Sequence, residues 1–441
     1  MPVSPARAAA FDILLRVERE SSYASELLHS AHYERLSPQD HALATELVMG
    51  VLRWQSRLDD EISQVSSQKL AKLDLEILIA LRLAVYQIRF LDRIPARAAL
   101  HESVELVKRA RKRSAAPFVN AVLRKLSNPS LCPSVPSVVA SEIAKTWAHP
   151  LWLVERWVEE YGLAAAEKIC EHNQSTPITT IRLRQPAAET ELLAEGIQLH
   201  PGALLSSARR VQSGDVTKTR AFRERRIVIQ DEASQLVAAL IGHGSRILDC
   251  CAAPGGKTLA IADQNPESEI TAVELHPHRA RLLQKVLSTT AHTQVLAADA
   301  RLLPIAQPYN RILADVPCSG TGTLARNPEI KWRLKPDDLT ELHERQVAIL
   351  RSALTHLEPG GRLVYSTCSL EKEENEDVID AVLEENQSVR VRDCREELDR
   401  LKSGGALTWS DPASLTRGPY LRTLPGIHPC DGFFAALLEK Q

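Results

Sequence analysis

The 441-residue sequence lacks the features that mark membrane-inserted, secreted and zinc-binding proteins. It has no apolar run long enough to cross a bilayer and no signal-peptide core near its N-terminus, so we expect a cytoplasmic protein without a membrane partner. Its eight cysteines include no Cys-x-x-Cys pair, which argues against a zinc ribbon and against a secreted disulfide scaffold. No metal is expected, and most of these thiols are expected to be inert.

An overall excess of positive charge is also absent, since the formal net charge is -2. That value alone argues against a nucleic-acid partner, but the charges are segregated along the chain. Residues 93–125 carry nine Lys/Arg against two Asp/Glu, residues 205–226 carry seven against two, and residues 371–400 carry five against twelve. A near-neutral total can therefore hide a basic face, although either basic run alone is also typical of an ordinary solvated helix face.

Hydrophobic periodicity divides the chain into regions of different character. Residues 1–130 repeat apolar side chains at helical spacing and predict a small helical bundle. Residues 131–140 include a Pro/Ser-rich stretch that predicts a linker. Residues 141–225 are mixed, with strand-like alternation at Thr179–Arg184, and residues 226–441 alternate strands and helices as a parallel sheet does. The length agrees with two or three domains.

The last region is organised around one loop. A short apolar run ends in Asp249, the small-residue loop Ala252–Gly256 follows, and a helix-compatible segment begins at Thr258. Strand, glycine loop and helix form the first unit of a nucleotide-binding α/β sheet. The loop lacks the Gly-x-Gly-x-x-Gly pattern of a dinucleotide site and the first Gly of a Walker loop, so a dinucleotide or polyphosphate ligand fits poorly.

Three acidic residues, Glu274, Asp299 and Asp315, come at the ends of later predicted strands. Ligands of open α/β sheets bind at the carboxyl ends of the strands, where a carboxylate can accept hydrogen bonds from a ribose diol. Any one of these acids could instead be only a helix N-cap. Three in register, without a Walker loop, indicate an adenosyl ligand without a polyphosphate, for which S-adenosylmethionine is the simplest candidate.

Two cysteines are predicted to lie at the same edge of the sheet. Cys318 follows the strand that ends at Asp315, and Cys368 ends a later strand. A cysteine at a strand end is usually a small buried hydrophobic residue, but the Pro, Ser, Thr and Gly neighbours of this pair favour chemistry. A thiolate that adds to carbon 6 of cytosine makes carbon 5 nucleophilic, and a base must later remove the carbon-5 proton.

Five sequence blocks resemble, in this order, the motifs of RNA 5-methylcytosine methyltransferases: residues 249–258, 315–323, 326–332, 365–369 and 431–435. More narrowly, the sequence resembles the Sun/Fmu branch, which comprises bacterial 16S ribosomal RNA cytosine-5 methyltransferases of the B type. Residues 93–108 and 118–125 resemble the NusB-like helical RNA-binding domain of that branch. The resemblance covers essentially the whole chain.

A multidomain fold follows from the resemblance. It implies an all-α NusB-like helical domain at 1–130, a small α+β (RRM-like) domain at 141–225, and a C-terminal α/β Rossmann-like class I methyltransferase domain at 226–441. S-adenosylmethionine would be the methyl donor and small-subunit ribosomal RNA the partner, with no obligate protein partner evident.

The resemblance also implies a role for each site residue. Cys368 would be the nucleophile, Cys318 would assist proton removal and release, and Asp315 would hydrogen-bond the cytosine ring. The donor would be bound by the loop residues Cys251, Ala252, Ala253, Pro254, Gly255, Gly256 and Lys257, with Glu274 at the ribose, Asp299 at the adenine and Asp315 at the junction of donor and base.

Other assignments remain open at this point. DNA cytosine-5 methyltransferases put the nucleophile in the Pro-Cys block, which would make Cys318 the attacking residue, and they need a Glu-Asn-Val partner that the sequence lacks. Amino methyltransferases prefer an aromatic residue that the Asp315–Cys318 block lacks. The substrate could also be tRNA or another RNA, or the chain could be a non-catalytic RNA-binding assembly factor.

Overall fold

The computed structural model describes residues 3–30, 32–33, 35–127 and 139–441. The chain forms two compact units, Met1–Thr176 with Leu324–Arg333, and Pro177–Thr323 with Leu334–Gln441. The predicted linker at 131–140 lies outside the described residues, apart from its last two. Within the described part of the chain, no helix combines the length and the hydrophobicity needed to cross a bilayer.

The first unit is helical, as hydrophobic periodicity predicts for residues 1–130. Its helices are α1 (Pro5–Glu20), α2 (Ala24–Leu28), α3 (Pro38–Val65), α4 (Leu75–Phe90), α5 (Ala96–Arg109), α6 (Ala116–Leu126), α7 (Ala140–Thr146), α8 (Leu151–Tyr161) and α9 (Leu163–Asn173). Apolar residues recur every three or four positions in α1 to α6, and these helices bury them in a shared core that includes Leu14, Leu47, Leu58, Ile79 and Leu83.

A ten-residue segment from far along the chain, Leu324–Arg333, completes this helical unit. The buried Glu329 carboxylate accepts a hydrogen bond from the backbone N–H of Ala24 at 2.8 Å, and Lys331 Nζ donates to the carbonyl of Arg53 at 2.9 Å. Burial lowers the pKa of Lys331 well below its usual value. In the sequence, the 326–332 block falls within the region predicted to be the methyltransferase domain. Hydrophobic periodicity does not reveal that it belongs to the helical unit, because buried polar side chains make the contacts that hold it there.

The second unit contains a small antiparallel sheet with the strand order β2-β3-β1-β4. Its strands are β1 (Thr180–Leu183), β2 (Gln198–Pro201), β3 (Ala208–Ser213) and β4 (Ile227–Ile229), and the helices α10 (Ala187–Ala194) and α11 (Arg220–Arg223) connect them. Ile181, Leu192, Ala221 and Ile227 share one small core. This is the small α+β fold expected for the middle of the chain.

The larger sheet of the second unit carries the candidate site. Its parallel strands are β5 (Arg246–Asp249), β6 (Glu269–Glu274), β7 (Thr293–Ala297), β8 (Tyr309–Asp315) and β9 (Leu357–Thr367). The remaining strands are β10 (Val389–Arg392), β11 (Thr416–Arg417), β12 (Tyr420–Thr423) and β13 (Phe433–Lys440), and β13 pairs antiparallel with β9. The order is β11-β12-β13-β9-β8-β5-β6-β7, with β10 beside β13, which confirms the predicted α/β class.

The helices of this larger sheet connect its strands or follow them. They are α12 (Glu232–Leu240), α13 (Gly256–Gln264), α14 (Pro277–Val286), α16 (Pro336–Thr355), α17 (Glu376–Leu383) and α18 (Cys394–Ser403), while the short α15 (Ile330–Arg333) lies in the segment of the first unit. Leu248, Leu313 and Val364, in the central strands, are fully buried, as strands covered by helices on both faces require.

Candidate active site

The predicted site residues lie along the edge formed by the carboxyl ends of the parallel strands. Asp249 ends β5, Glu274 ends β6 and Asp315 ends β8. Cys368 directly follows β9, and the register pairs Asp315 with Ser366 on that strand. The strand order reverses at β5, between β6 and β8, and ligands of open α/β sheets bind at such a switch point.

The glycine loop is held in place from both of its ends. The buried Asp249 carboxylate accepts hydrogen bonds from Thr258 Oγ1 at 2.7 Å and from the backbone N–H of Cys251 at 3.3 Å. Gly255 has a φ of 109°, and a Cβ there would lie 2.8 Å from Leu283 Cδ1, so this position requires glycine. The loop therefore turns tightly into α13 and leaves a small-residue cradle at the edge of the sheet.

The two acids on the far side of the loop differ in their surroundings. The Glu274 carboxylate is buried and accepts a hydrogen bond from the backbone N–H of His276 at 2.9 Å. Asp299 is half-buried and bonds the backbone N–H and the guanidinium of Arg301. The Arg301 hydrogen bonds hold the pKa of Asp299 below its usual value. Cradle and carboxylates fit an adenosyl group, since they offer close backbone approach and hydrogen-bond acceptors for a ribose or an adenine.

The ionisation of Asp249 gives this loop a pH dependence. Burial raises the pKa of its carboxyl from 3.8 to about 7, against the opposing effect of the Thr258 hydrogen bond. The folded chain therefore holds this proton more tightly than the unfolded chain does. The resulting stability is fully present below the unfolded pKa and is lost as the pH rises through about 7.

We expect Asp249→Asn, which cannot ionise, to flatten the fall in the free energy of unfolding between about pH 4 and 7. The wild-type loss attributable to this group is on the order of a few kcal/mol, at about 1.4 kcal/mol per pKa unit. Urea unfolding at several pH values, without donor, measures it. The control is Asp299→Asn. The pKa of Asp299 is lowered, so its ionisation changes the free energy of unfolding only at more acidic pH. Equal slopes in wild type and Asp249→Asn would contradict the prediction.

A lysine–aspartate pair joins the loop to the end of β8. Lys257 Nζ lies 2.8 Å from Asp315 Oδ2, and Ser366 Oγ donates to Asp315 Oδ1 at 2.8 Å. The Lys257 ammonium also lies 5.0 Å from the centre of the Phe433 ring, in the 431–435 block. Burial alone would lower the pKa of Lys257, but the Asp315 carboxylate and, more weakly, Cys368 outweigh it and raise that pKa. The site thus holds a fixed cation beside its aspartate.

The two candidate catalytic thiols touch each other. Cys318 Sγ and Cys368 Sγ are 3.3 Å apart, and both residues are only partly buried. The hydrogen bond with Cys368, together with burial and the Glu374 charge, raises the pKa of the Cys318 thiol well above its usual value. By contrast, the thiols of Cys170 and Cys394 are fully buried, as expected for inert cysteines. The structure therefore brings together the two cysteines that the sequence singles out.

Sequence reasoning missed Glu374, which lies six residues beyond Cys368 and is fully buried. Its carboxylate bonds Ser319 and Ser369, the residues that directly follow the two cysteines. Glu374 belongs to the acidic run at 371–400, and from the sequence alone that run indicates only an excess of negative charge. Its position, just before α17 and just after a candidate nucleophile, was the available signal.

Comparison with known families assigns each part of the chain. Residues 239–439 match the family described as 16S rRNA methyltransferase RsmB/F, and residues 4–128 match the NusB family. Residues 149–216 match the ferredoxin-like domain of RsmF/B-like methyltransferases. The helical, α+β and α/β parts of the predicted fold are thereby confirmed.

Individual relatives match over their full length. The probable ribosomal RNA small subunit methyltransferase B of Bacillus subtilis is 35% identical, with 100% of each chain covered. The ribosomal RNA small subunit methyltransferase B of Vibrio cholerae is also 35% identical, with 99% of this chain and 97% of the relative covered. The crystal structure of PH0851 superimposes with a TM-score of 0.80 at 24% identity, covers 100% of both chains and supports the fold.

Proposed function

Because this chain belongs to the 16S rRNA methyltransferase RsmB/F family, we propose that it methylates carbon 5 of a specific cytidine in 16S ribosomal RNA. In this proposal Cys368 forms a transient covalent bond with the base, and Cys318 assists proton removal and release. S-adenosylmethionine is the proposed methyl donor. A tRNA or another RNA is the alternative substrate.

The observation that carries the proposal is the pair of thiols at the edge of the sheet. Their sulfur atoms lie 3.3 Å apart, close enough to act on adjacent carbons of one pyrimidine ring. Cytosine chemistry at carbon 5 needs a nucleophile at carbon 6 and a base at carbon 5, and a thiol can serve in either role. With a single cysteine, another group would have to fill the second role.

The neighbouring residues support a division of labour between the thiols. Lys257 is held by Asp315 and interacts electrostatically with Cys368. In the proposal Cys368 is the thiol that adds to carbon 6. The raised pKa of Cys318 means that its thiolate, formed once its own proton has passed to solvent, is a strong base for the carbon-5 proton. Asp315, at the end of β8, would hydrogen-bond the ring while the adduct forms.

The donor would be held by Cys251, Ala252, Ala253, Pro254, Gly255, Gly256 and Lys257, with Glu274, Asp299 and Asp315. S-adenosylmethionine supplies an electrophilic methyl group on a sulfonium. The chain contributes position: the tight turn at Gly255 lets a ligand approach the backbone, and the buried Glu274 carboxylate offers acceptors for a ribose diol. Cys251 begins this loop and is half-buried.

Bisulfite sequencing of ribosomal RNA tests the proposed reaction directly. Bisulfite converts cytosine and leaves 5-methylcytosine intact, so a methylated position reads as protected. We expect cells that lack the gene to lose protection at one cytosine of 16S ribosomal RNA, and the wild-type gene to restore it. Unchanged 16S ribosomal RNA with loss of protection in a tRNA would favour the alternative substrate, and no loss in any RNA would contradict the proposal.

The first basic run supports RNA as the partner. Most of its cations are exposed, on or beside α5 and α6: Arg93, Arg97, Lys108, Arg109, Arg111, Arg113, Arg124 and Lys125. Lys108, Arg109 and Arg113 also line a surface cavity of about 430 Å³. Exposed Lys and Arg side chains suit phosphate contacts that do not depend on base sequence.

The second basic run, 205–226, is less positively charged than its own sequence suggests, because acidic residues outside the run pair with two of its arginines. Arg209 pairs with Glu189 and Arg226 pairs with Glu191, each at 2.6 Å. Both glutamates lie on α10, outside the run, so a count of charge along the sequence does not include them. Acids also pair with Lys108, Arg109 and Lys112 of the first run, but that run keeps the larger net positive charge, so only the first run is proposed to contact phosphates.

We expect RNA affinity to fall steeply with salt, and the double variant Arg113→Gln/Arg124→Gln to flatten that dependence. Each lost phosphate contact lowers the slope of log affinity against log salt by about 0.7 to 0.9. Filter binding between about 50 and 200 mM salt measures the slope. The control is Arg220→Gln, an exposed cation of the second run paired with Glu224. A slope unchanged by the double variant would contradict the assignment.

A further inference from the structure

We propose that Glu374 is a positioning residue that holds the two cysteine loops in one fixed arrangement, an inference that rests on the proposed function. Glu374 lies in the loop between β9 and α17 and is fully buried. It is not one of the residues expected to touch donor or base. Its role would be to fix where the sulfurs of Cys318 and Cys368 stand relative to each other.

The Glu374 carboxylate accepts four hydrogen bonds. Oε1 accepts from the backbone N–H of Ser319 at 2.8 Å and from Gln346 Nε2 at 2.9 Å. Oε2 accepts from the hydroxyls of Ser319 and Ser369, the latter at 2.5 Å. A carboxylate offers about four lone-pair sites, so this group is saturated. A buried charge with so many donors is held rigidly, because the loss of any donor leaves part of it unsatisfied.

Each of the two serines directly follows a cysteine. The carboxylate therefore binds residues that are one peptide bond away from Cys318 and from Cys368. Ser319 is bound through both its backbone N–H and its hydroxyl, so the chain just after Cys318 is fixed in position. Gln346 also donates to the carbonyl of Pro317 at 2.9 Å. The residues before and after Cys318, Pro317 and Ser319, are therefore both held in position. Gln346, which binds Pro317, also binds Glu374.

The Cys368 loop is fixed in the same way. The backbone N–H of Gly322 donates to the carbonyl of Cys368 at 2.9 Å, which links the two loops directly. Asn375 Nδ2 donates to the carbonyl of Ser369 at 3.0 Å. Tyr365 donates to the backbone carbonyl of Glu374 at 2.6 Å, so the glutamate is itself held in place. The Glu374 carboxylate thus bonds the residue after each cysteine, and the hydroxyls of these two serines also lie 3.0 Å from each other.

The charge of Glu374 also acts on a thiol. The hydrogen bond with Cys368 contributes most to the raised pKa of Cys318, followed by burial, the charge of Cys368 and the charge of Glu374. Removing the negative charge at 374 while keeping the shape of the side chain should therefore let Cys318 ionise at lower pH. This effect provides a readout at Cys318 itself, which a loss of overall stability does not produce.

Two variants separate shape from charge. Glu374→Gln keeps the side-chain volume, and the serine hydroxyls can rotate to accept hydrogen bonds from the new amide. Glu374→Ala removes every acceptor and leaves a cavity. The control is Glu384→Gln, an exposed glutamate at the end of α17. Thermal unfolding of each variant shows whether it is folded. If Glu374→Ala does not fold, the inference is tested with Glu374→Gln alone.

The first measurement needs neither RNA nor donor. Cys318 and Cys368 lie on different tryptic peptides, so mass spectrometry can follow the alkylation of each by iodoacetamide as a function of pH. We expect the Cys318 profile of Glu374→Gln to move to lower pH, while that of Glu384→Gln matches wild type. An unchanged Cys318 profile in Glu374→Gln would overturn the inference, whatever RNA the enzyme methylates.

The second measurement is turnover on the RNA substrate. We expect folded Glu374→Ala to lower kcat about 100-fold with little change in the KM for donor or RNA, since small misplacement of reacting groups has effects of that size. Glu374→Gln should retain more activity than Glu374→Ala. A folded Glu374→Ala with wild-type kcat would overturn the inference. Absence of turnover in the wild type would instead count against the proposed function and leave the alkylation result in force.

Discussion

Replacing Cys368 with alanine should abolish both methyl transfer and the covalent capture of RNA. Without the sulfur nothing adds to carbon 6, so carbon 5 stays unreactive, and we expect turnover to fall by on the order of 10⁴-fold or more. Transfer of a radiolabelled methyl group measures turnover, and a denaturing gel measures captured RNA.

Cys394→Ala is the matched control for this prediction. Cys394 is a fully buried cysteine on α18 whose thiol faces the carbonyl of Ala435, so its loss affects packing alone. The control should keep both activities. Substantial methyl transfer by Cys368→Ala would remove the covalent step from the proposed reaction.

Replacing Cys318 with alanine should have a different effect, in which the enzyme remains bound to its product. Cys368 can still attack, but the residue proposed to remove the carbon-5 proton is missing, so the adduct does not collapse. We expect multiple turnover to stop while a protein–RNA complex accumulates and survives a denaturing gel. The sulfur contact of 3.3 Å is the reason to assign this role to Cys318.

The double variant Cys318→Ala/Cys368→Ala is the control for that complex and should form none. If Cys318→Ala instead lost capture and Cys368→Ala retained it, the roles would be reversed, as in DNA cytosine-5 methyltransferases. If neither single variant changed any activity toward RNA, the non-catalytic assembly factor would become the better description.

The parts of the site that follow from sequence are those set by local pattern. The glycine loop at Cys251–Lys257 is recognisable because a tight strand-to-helix turn needs small residues, and the structure gives Gly255 the φ that such a turn requires. Asp315 and Cys318 could be assigned to one edge because parallel strands end on the same side of the sheet. Cys368 follows by the same argument.

The parts that sequence did not reveal depend on contacts between distant segments. Glu374 looks like one acid among many until its four donors are seen. Leu324–Arg333 belongs to the helical unit through polar contacts of Glu329 and Lys331, and polar contacts have no hydrophobic period to detect. Two glutamates on α10 reduce the net positive charge of the run at 205–226. Local charge counts cannot anticipate any of these partners.

The bond between a cysteine and the target base can be located directly with RNA that carries 5-fluorocytidine at the methylated position. Fluorine at carbon 5 cannot leave as a proton does, so the wild-type enzyme with its donor should remain attached to the base. Mass spectrometry of the digested complex then identifies the modified residue. We predict the nucleotide on the peptide that contains Cys368. A nucleotide on the Cys318 peptide, or no attached nucleotide on RNA that the enzyme otherwise methylates, would contradict the proposed mechanism.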